Sequence, residues 1–181
     1  MRKGGGKAKG SNFEREICKK LTIWATGQEK PYVFWRSPSS GAVATISQSS
    51  NISGDIIAVK EEGNFFTDVF SIECKDGYPD ADFMKLFKNN KNDIIQGFWE
   101  QCIRDSRIAH KHGMLIFRKK GFPILVGVED YTDIAMILKN ETKYVQIGFN
   151  DTMLPDIVFF DFDVFLSKIN KEMFKRNTDE L

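Results

Sequence analysis

Cysteine is scarce in this chain and badly spaced for any cross-link. The 181 residues include three, Cys18, Cys74 and Cys102, an odd number with no C-x-x-C pair. That excludes a disulfide framework and a zinc site of ordinary spacing. Each stands among apolar neighbours, where a free thiol packs as a small hydrophobe. Histidine is rarer still. His110 and His112 flank the end of a predicted helix with no third ligand in view, and cations at a helix C-terminus explain them better than a metal does. No apolar run approaches the ~18 residues of a spanning helix, and no signal peptide is recognisable, so a cytosolic protein without a membrane partner is expected. A phosphate-cradling P-loop is missing too, because the glycine-rich start is followed by Ser11 rather than Lys-Ser/Thr. Nor does one sign of charge dominate. With 26 Lys+Arg against 25 Asp+Glu, the chain is not a globally basic nucleic-acid protein. The charge is unevenly spread, however: residues 1–50 carry nine basic and three acidic side chains, and the remainder is net acidic. A surface for a polyanion must therefore be local and lie on the first part. No repeat, coiled coil or internal linker divides the chain.

What is present suits one packed core: 41% hydrophobic residues, sixteen of all residues being phenylalanine. Residues 1–10 have Arg2, Lys3, Lys7 and Lys9 set among glycines. They hold too little apolar surface to fold alone and are expected to form a flexible basic arm, either lying on phosphates or merely solubilising. Ser11 or Asn12 caps a predicted helix to about residue 25, with Phe13, Ile17, Leu21 and Trp24 as its core stripe and Glu14 at the margin. Residues 32–36 read as a strand and 37–53 as a long polar loop. Arg36 and the hydroxyls of Ser37, Ser39 and Ser40 are donor types that grip phosphate oxygens.

The informative stretch is residues 53–75. Ile56-Ile57-Ala58-Val59 is short, β-branched and bounded by Gly54 and Glu61-Glu62-Gly63, the pattern of a buried strand. Residues 68–75 read as a second strand, paired with the first as a hairpin through residues 61–64. Alternation puts Glu73 and Lys75 on one face, Ile72 and Cys74 on the other. Such a pairing would let Asp55 and Glu73 share one cation with Lys75 beside them. Two carboxylates are hard ligands suited to Mg²⁺ or Mn²⁺. A cation there neutralises charge building on a phosphate and acidifies water. The lysine would orient that water, or take its proton if its own pKa were depressed. The plain alternative is a charged hairpin end in solvent.

Downstream, a short helix is predicted over residues 83–87, a longer one over 93–111 and strands over 114–118 and 123–128. A helix over 129–139 follows, then strands over 144–149 and 156–160. A last helix starts at Asp161 and buries Phe162, Phe165, Leu166, Ile169 and Met173. Asp161 and Asp163 serve it as cap and first-turn acid.

Gly54-Asp55-Ile56 and Ile72-Glu73-Cys74-Lys75 resemble the two signature pieces of the PD-(D/E)xK nuclease superfamily, with Gly54 where proline would precede the aspartate. Within it, the archaeal-type Holliday-junction resolvases and related phage-encoded nucleases are most similar. G-S-N-F-E-R-E at residues 10–16 resembles their first helix. F-W-R-S-P-S-S-G at 34–41 resembles the first strand and its arginine/serine loop, and F-W-E-Q-C-I-R-D-S-R-I-A at 98–109 the glutamine-bearing helix. The similarity is legible to about Lys120.

The resemblance implies an α/β fold, a central mixed sheet flanked by helices, with a restriction-endonuclease-like helix-strand-strand-strand-helix-strand core. It implies Asp55, Glu73 and Glu14 as metal ligands, Lys75 orienting water and Gln101 supporting the site, with Mg²⁺ or Mn²⁺ as cofactor. The expected activity is metal-dependent DNA cleavage, on a Holliday junction or other branched DNA, by a homodimer in the cytoplasm of a bacterial or phage-infected cell. One nuclease-like domain over 11–181 is expected, with a core to about residue 128 and an addition over 129–181. A catalytically silent DNA-binding module and an interaction protein are the rival readings.

Overall fold

The computed structural model describes residues 5–37, 53–87, 94–149 and 153–175. Helix α1 (Gly5–Thr26) leads into strands β1 (Phe34–Arg36) and β2 (Ile56–Ala58), which pair antiparallel with Trp35 opposite Ile57. A 3-10 turn (Glu61–Gly63) and the short α2 (Asn64–Thr67) carry the chain to β3 (Phe70–Asp76). A second 3-10 turn (Phe83–Phe87) precedes α3 (Ile94–Ile108), then come β4 (His112–Arg118) and β5 (Ile124–Glu129). The remainder is α4 (Asp133–Glu141), β6 (Val145–Ile147), β7 (Ile157–Asp161), α5 (Phe162–Lys168) and α6 (Glu172–Lys175). The fold is α/β with a mixed sheet flanked by helices, as expected. Five strands run in the order β3-β4-β5-β7-β6, of which only β3 and β4 are parallel.

Strand alternation explains why both faces are covered. On β3, β4, β5 and β7, one set of side chains (Ile72, Met114, Ile116, Val126, Val128, Val158, Phe160) joins a core with Phe13, Ile17 and Leu21 of α1 and Phe165 of α5. The alternate set (Leu115, Phe117, Ile157, Phe159) packs with Ile95, Phe98, Trp99 and Cys102 of α3. A sheet with two apolar faces needs helices on both. β7 lies between β5 and β6 and feeds both cores, so part of the expected addition over 129–181 is built into the sheet.

Phenylalanine does much of the packing between elements. Trp24, Phe66 and Phe174 meet edge-on, Trp24 to Phe66 at 5.3 Å and Phe66 to Phe174 at 5.4 Å. Phe70 stands 5.6 Å from Phe66, so α1, α2, β3 and α6 are pinned at one point. The Trp24 indole N–H closes this cluster by donating to the Ile169 carbonyl at 3.1 Å.

Several expectations are corrected. The helix does not start at Ser11 or Asn12 but runs back to Gly5, taking residues 5–10 from the expected arm. Both residues instead accept hydrogen bonds from Arg15, one turn along. β2 and β3 do not form a hairpin. Residues 61–67 coil into the 3-10 turn and α2, burying Phe66 and Thr67, and β3 starts only at Phe70. The two segments touch at one parallel bridge, Gly54 with Ile72. Glu129 ends β5, and α4 starts four residues later behind a Thr132 cap that accepts from the Ala135 N–H. The last helix, capped by Asp161 as expected, breaks at Ile169, whose extended backbone separates α5 from α6 and Met173.

Candidate active site

β3 is an edge strand of the five-stranded sheet, and the segment entering β2 lies across its open side. The Asp55 N–H donates to the Ile72 carbonyl at 2.7 Å, and the Asp55 carbonyl accepts from the Ser37 N–H at 2.8 Å. Oδ2 of Asp55 accepts the Cys74 N–H at 2.9 Å. Three bonds therefore fix this aspartate against the backbone of β3 and the end of β1. The approach requires Gly54. Its φ is +80°, and a Cβ would lie 2.5 Å from the Ile72 carbonyl oxygen. Proline, whose ring holds φ near −65°, cannot adopt that conformation. The departure from the superfamily's usual proline is thus a requirement of this local backbone.

Glu73 and Lys75 share the face of β3 covered by α3. Lys75 Nζ is 2.6 Å from Glu73 Oε1 and 2.9 Å from Gln101 Oε1, while Gln101 Nε2 donates to the same Glu73 oxygen at 3.0 Å. Gln101, on α3, closes a triangle with strand residues 28 and 26 positions away. Phe98, one turn earlier on α3, places its ring 5.3 Å from Lys75 Nζ, a cation–π distance. Glu14 is buried on α1 and accepts a very short hydrogen bond from Arg36 Nε. The structure thus links Asp55, Glu73, Lys75 and Gln101 around β3 and joins Glu14 to Arg36 beside them.

Burial and mutual repulsion set the electrostatics. Burial, then the Glu73 charge, pushes the Asp55 carboxyl up to about 7, and Glu14 adds to this. Burial raises Glu73 as well, against the pull of Lys75. Burial alone would lower Lys75, yet the Glu73 and Asp55 carboxylates outweigh it and the ammonium is held above its ordinary value. Lys75 therefore stays charged. A depressed, proton-accepting lysine would require those two carboxylates to be neutralised. The cysteines behave as packing groups: burial pushes Cys18 up to about 12 and Cys74 and Cys102 well above the ordinary thiol value.

Two carboxylate oxygens remain uncommitted, Asp55 Oδ1 and Glu73 Oε2, which make no hydrogen bond among the described residues. Such a pair of hard donors suits a divalent ion that keeps several waters. Among the described residues, no group of three or more His, Cys, Asp or Glu side chains is gathered into a ready cradle. Glu14 points its Oε2 at Arg36 instead.

The expected DNA contacts divide. Arg36 holds Glu14 through Nε, and its terminal nitrogens make no hydrogen bond among the described residues. Ser37 is buried, 4% exposed, so it serves β1 and Asp55 rather than presenting a hydroxyl to solvent. Lys7 and Lys9 fall within α1. Arg2, Lys3, Ser39 and Ser40 lie outside the described residues. Sequence reasoning missed one group. Arg118 at the end of β4 bridges Asp76 and Glu16, each beside a residue already singled out. The sequence signals were Asp76 following Lys75 and Glu16 closing the stretch at residues 10–16.

The histidines have a structural place. His112 opens β4 with Nδ1 3.5 Å from Glu129, and His110 sits in the turn before it with φ of 55°.

No curated protein and no solved structure matches the sequence. A family model described as "Phage putative PDDEXK endonuclease" matches residues 5–176, well beyond the point where similarity was legible by motif. The chain belongs to this phage PD-(D/E)xK endonuclease family.

Proposed function

We propose that the protein is a divalent-metal-dependent endonuclease that hydrolyses phosphodiester bonds in DNA, with Mg²⁺ or Mn²⁺ held by Asp55 and Glu73. One observation carries this reading: Asp55 is bonded to the backbone of β3 at Cys74, beside Glu73, with the charged Lys75 2.6 Å from that glutamate. A cation bound there supplies charge neutralisation at the phosphate and acidifies water.

The protein's own groups do the rest. Lys75, kept cationic by its carboxylate neighbours, orients the attacking water, while Gln101 and Phe98 restrict where its ammonium can go. Hydrolysis adds water across a phosphorus–oxygen bond, so the water gives up a proton and the leaving oxygen takes one. Glu14 acts as an outer carboxylate beside the pair. It also aims Arg36, whose terminal nitrogens, unbonded among the described residues, suit a phosphate oxygen. Lys7 and Lys9, with Arg2 and Lys3, add sequence-independent attraction to the backbone.

Branched DNA such as a Holliday junction is the proposed substrate, and a homodimer the proposed form, because two matched nicks need two matched sites. The test is cleavage of junction, flap, duplex and single-stranded DNA by the full chain, with Mg²⁺, with Mn²⁺ and with chelator. Metal-dependent cutting of the junction by a dimer is the expected result. Cutting of plain duplex alone would remove the junction reading. Binding without cutting under all conditions would replace the enzyme with a silent DNA-binding module.

A further inference from the structure

We propose that Arg118 is a positioning residue that holds Glu14 and Lys75 in fixed relation, an inference that rests on the nuclease reading of those two side chains. Its guanidinium makes three contacts with two elements far apart in sequence. Nε and Nη2 form a forked pair with Asp76 at 3.1 and 2.8 Å. Nη1 bonds Glu16 at 2.6 Å. The guanidinium carbon lies 4.4 Å from the centre of the Phe13 ring.

The placement of these partners carries the argument. Phe13 and Glu16 flank Glu14 within a single helical turn, and Asp76 directly follows Lys75. Arg118 itself stands opposite Asp76 on the neighbouring strand. It projects from the α1 face, while Lys75 projects from the α3 face. One planar cation thus ties the turn of α1 that carries Glu14 to the strand end that carries Lys75, from behind the catalytic face.

Phe13 is the buried apolar anchor of this turn of α1. The α1 core stripe continues from Phe13 through Ile17 and Leu21 to Ala25. At the site end of α1, polar bridges from Arg36 and Arg118 complete the docking. A guanidinium can serve both acids at once because its donors are fixed in a fork, whereas a lysine ammonium is a point charge on a flexible stem. Displacement of a reacting group by about 1 Å costs on the order of 100-fold in rate, so a small loosening here is enough to matter.

The experiment compares the parent, Arg118→Lys and Glu16→Gln by three readouts: single-turnover cleavage with Mg²⁺, calorimetric titration with Mn²⁺, and thermal unfolding. Arg118→Lys should lower the cleavage rate by ~10–100-fold, the usual effect of removing a group that orients metal ligands, with KM for DNA unchanged. Mn²⁺ affinity should fall in parallel. Glu16→Gln, at a half-exposed position, keeps the Asp76 fork and should show a smaller loss in the same direction. In a Glu14→Gln background the loss from Arg118→Lys should shrink, since one of the two residues it holds is already removed. Full additivity in that background would assign Arg118 to general stability and overturn the proposal. A higher KM with an unchanged single-turnover rate would make Arg118 a DNA contact and also overturn it. If the parent binds Mn²⁺ but cuts nothing, the nuclease reading fails by itself. The titration then decides the positioning role, with equal affinity in parent and variant counting against it. A parent that neither cuts nor binds Mn²⁺ removes both.

Discussion

The carboxylate of Asp55 accepts the backbone N–H of Cys74 at 2.9 Å, one position past Glu73 on the same strand. This bond, not a hairpin, brings the two candidate metal ligands together. It also makes the site depend on how the chain enters β2, which is the business of Gly54.

Gly54→Ala should be severely destabilising. The residue must hold φ near +80°, and its new Cβ would meet the Ile72 backbone at 2.5 Å. The left-handed conformation alone costs about 1–2 kcal/mol for alanine, and the overlap with backbone adds to it. Thermal unfolding should show a lower Tm, and Mn²⁺ titration weaker binding as Asp55 is pushed off β3. A variant with parental Tm and affinity would mean that the segment has room to move.

Glu73→Gln should abolish cleavage while leaving DNA binding largely intact. The amide keeps the shape and the contact to Gln101 but loses the charge that holds the cation and the pairing with Lys75. Turnover at the parental rate in saturating Mg²⁺ would exclude Glu73 as an essential ligand.

Lys75→Ala should slow the chemical step by ~10²–10⁴-fold, the usual cost of losing a positioned group of this kind. The fold should survive, because Lys75 lies near the strand end. Metal affinity should hold or rise once a neighbouring cation is gone. Gln101→Ala, which releases Lys75 without removing it, should cost less, ~10–100-fold. Single-turnover rates measured beside calorimetric titration separate these effects. Equal rates for Lys75→Ala and parent would leave the lysine without a chemical role.

Divalent metal should stabilise the fold. Asp55, pushed to about 7 by burial and by Glu73, marks a pair of buried acids that repel one another in the absence of a cation. Ligand at 100 times its Kd adds about 2.7 kcal/mol, so Mn²⁺ should raise Tm measurably in the parent and not in Asp55→Asn. An equal rise in both would place the ion elsewhere.

Acid stability should report on Glu129, at the opposite end of the sheet. This fully buried glutamate accepts from Arg107 at 2.6 and 3.2 Å, from the Gly113 N–H at 2.7 Å and from Tyr131. Burial would raise its pKa, but nearby His112 and the hydrogen bonds from Arg107, Tyr131 and Gly113 prevail and hold it at about 2, below the ordinary 4.5. A depressed carboxylate stabilises the fold above its unfolded pKa, and that contribution is lost as pH falls through the folded one. Between about pH 4.5 and pH 2 the parent should therefore lose on the order of 3 kcal/mol from this group. Urea unfolding across that range should show the loss in the parent and a flatter profile in Glu129→Gln. Matching profiles would assign the acid sensitivity to other groups.

Much of this was legible in the sequence because it is governed by local periodicity. The alternation of Ile72-Glu73-Cys74-Lys75 fixed which two side chains share a face before any fold was known, and Gln101 fell on the expected helix. The apolar stripe of α1 and the Asp161 cap followed from spacing and residue type in the same way. Local patterns also misled where tertiary packing outweighed them. Residues 61–64 read as a tight turn between paired strands, yet burying Phe66 under Trp24 and Phe174 favours a helical crossover over 61–67.

What only the tertiary structure decided is everything carried by contacts between distant segments. The placement of Asp55 rests on backbone bonds to Ile72 and Cys74, which no residue type announces. The charged state of Lys75 comes from its nearness to Glu73 and Asp55 outweighing burial. The role of Arg118 arises because a strand neighbour 42 residues from Asp76 also reaches α1, 102 residues from Glu16. Periodicity along a chain specifies which face a side chain takes. Which other face it meets is settled by how the sheet and helices bury their apolar surface together.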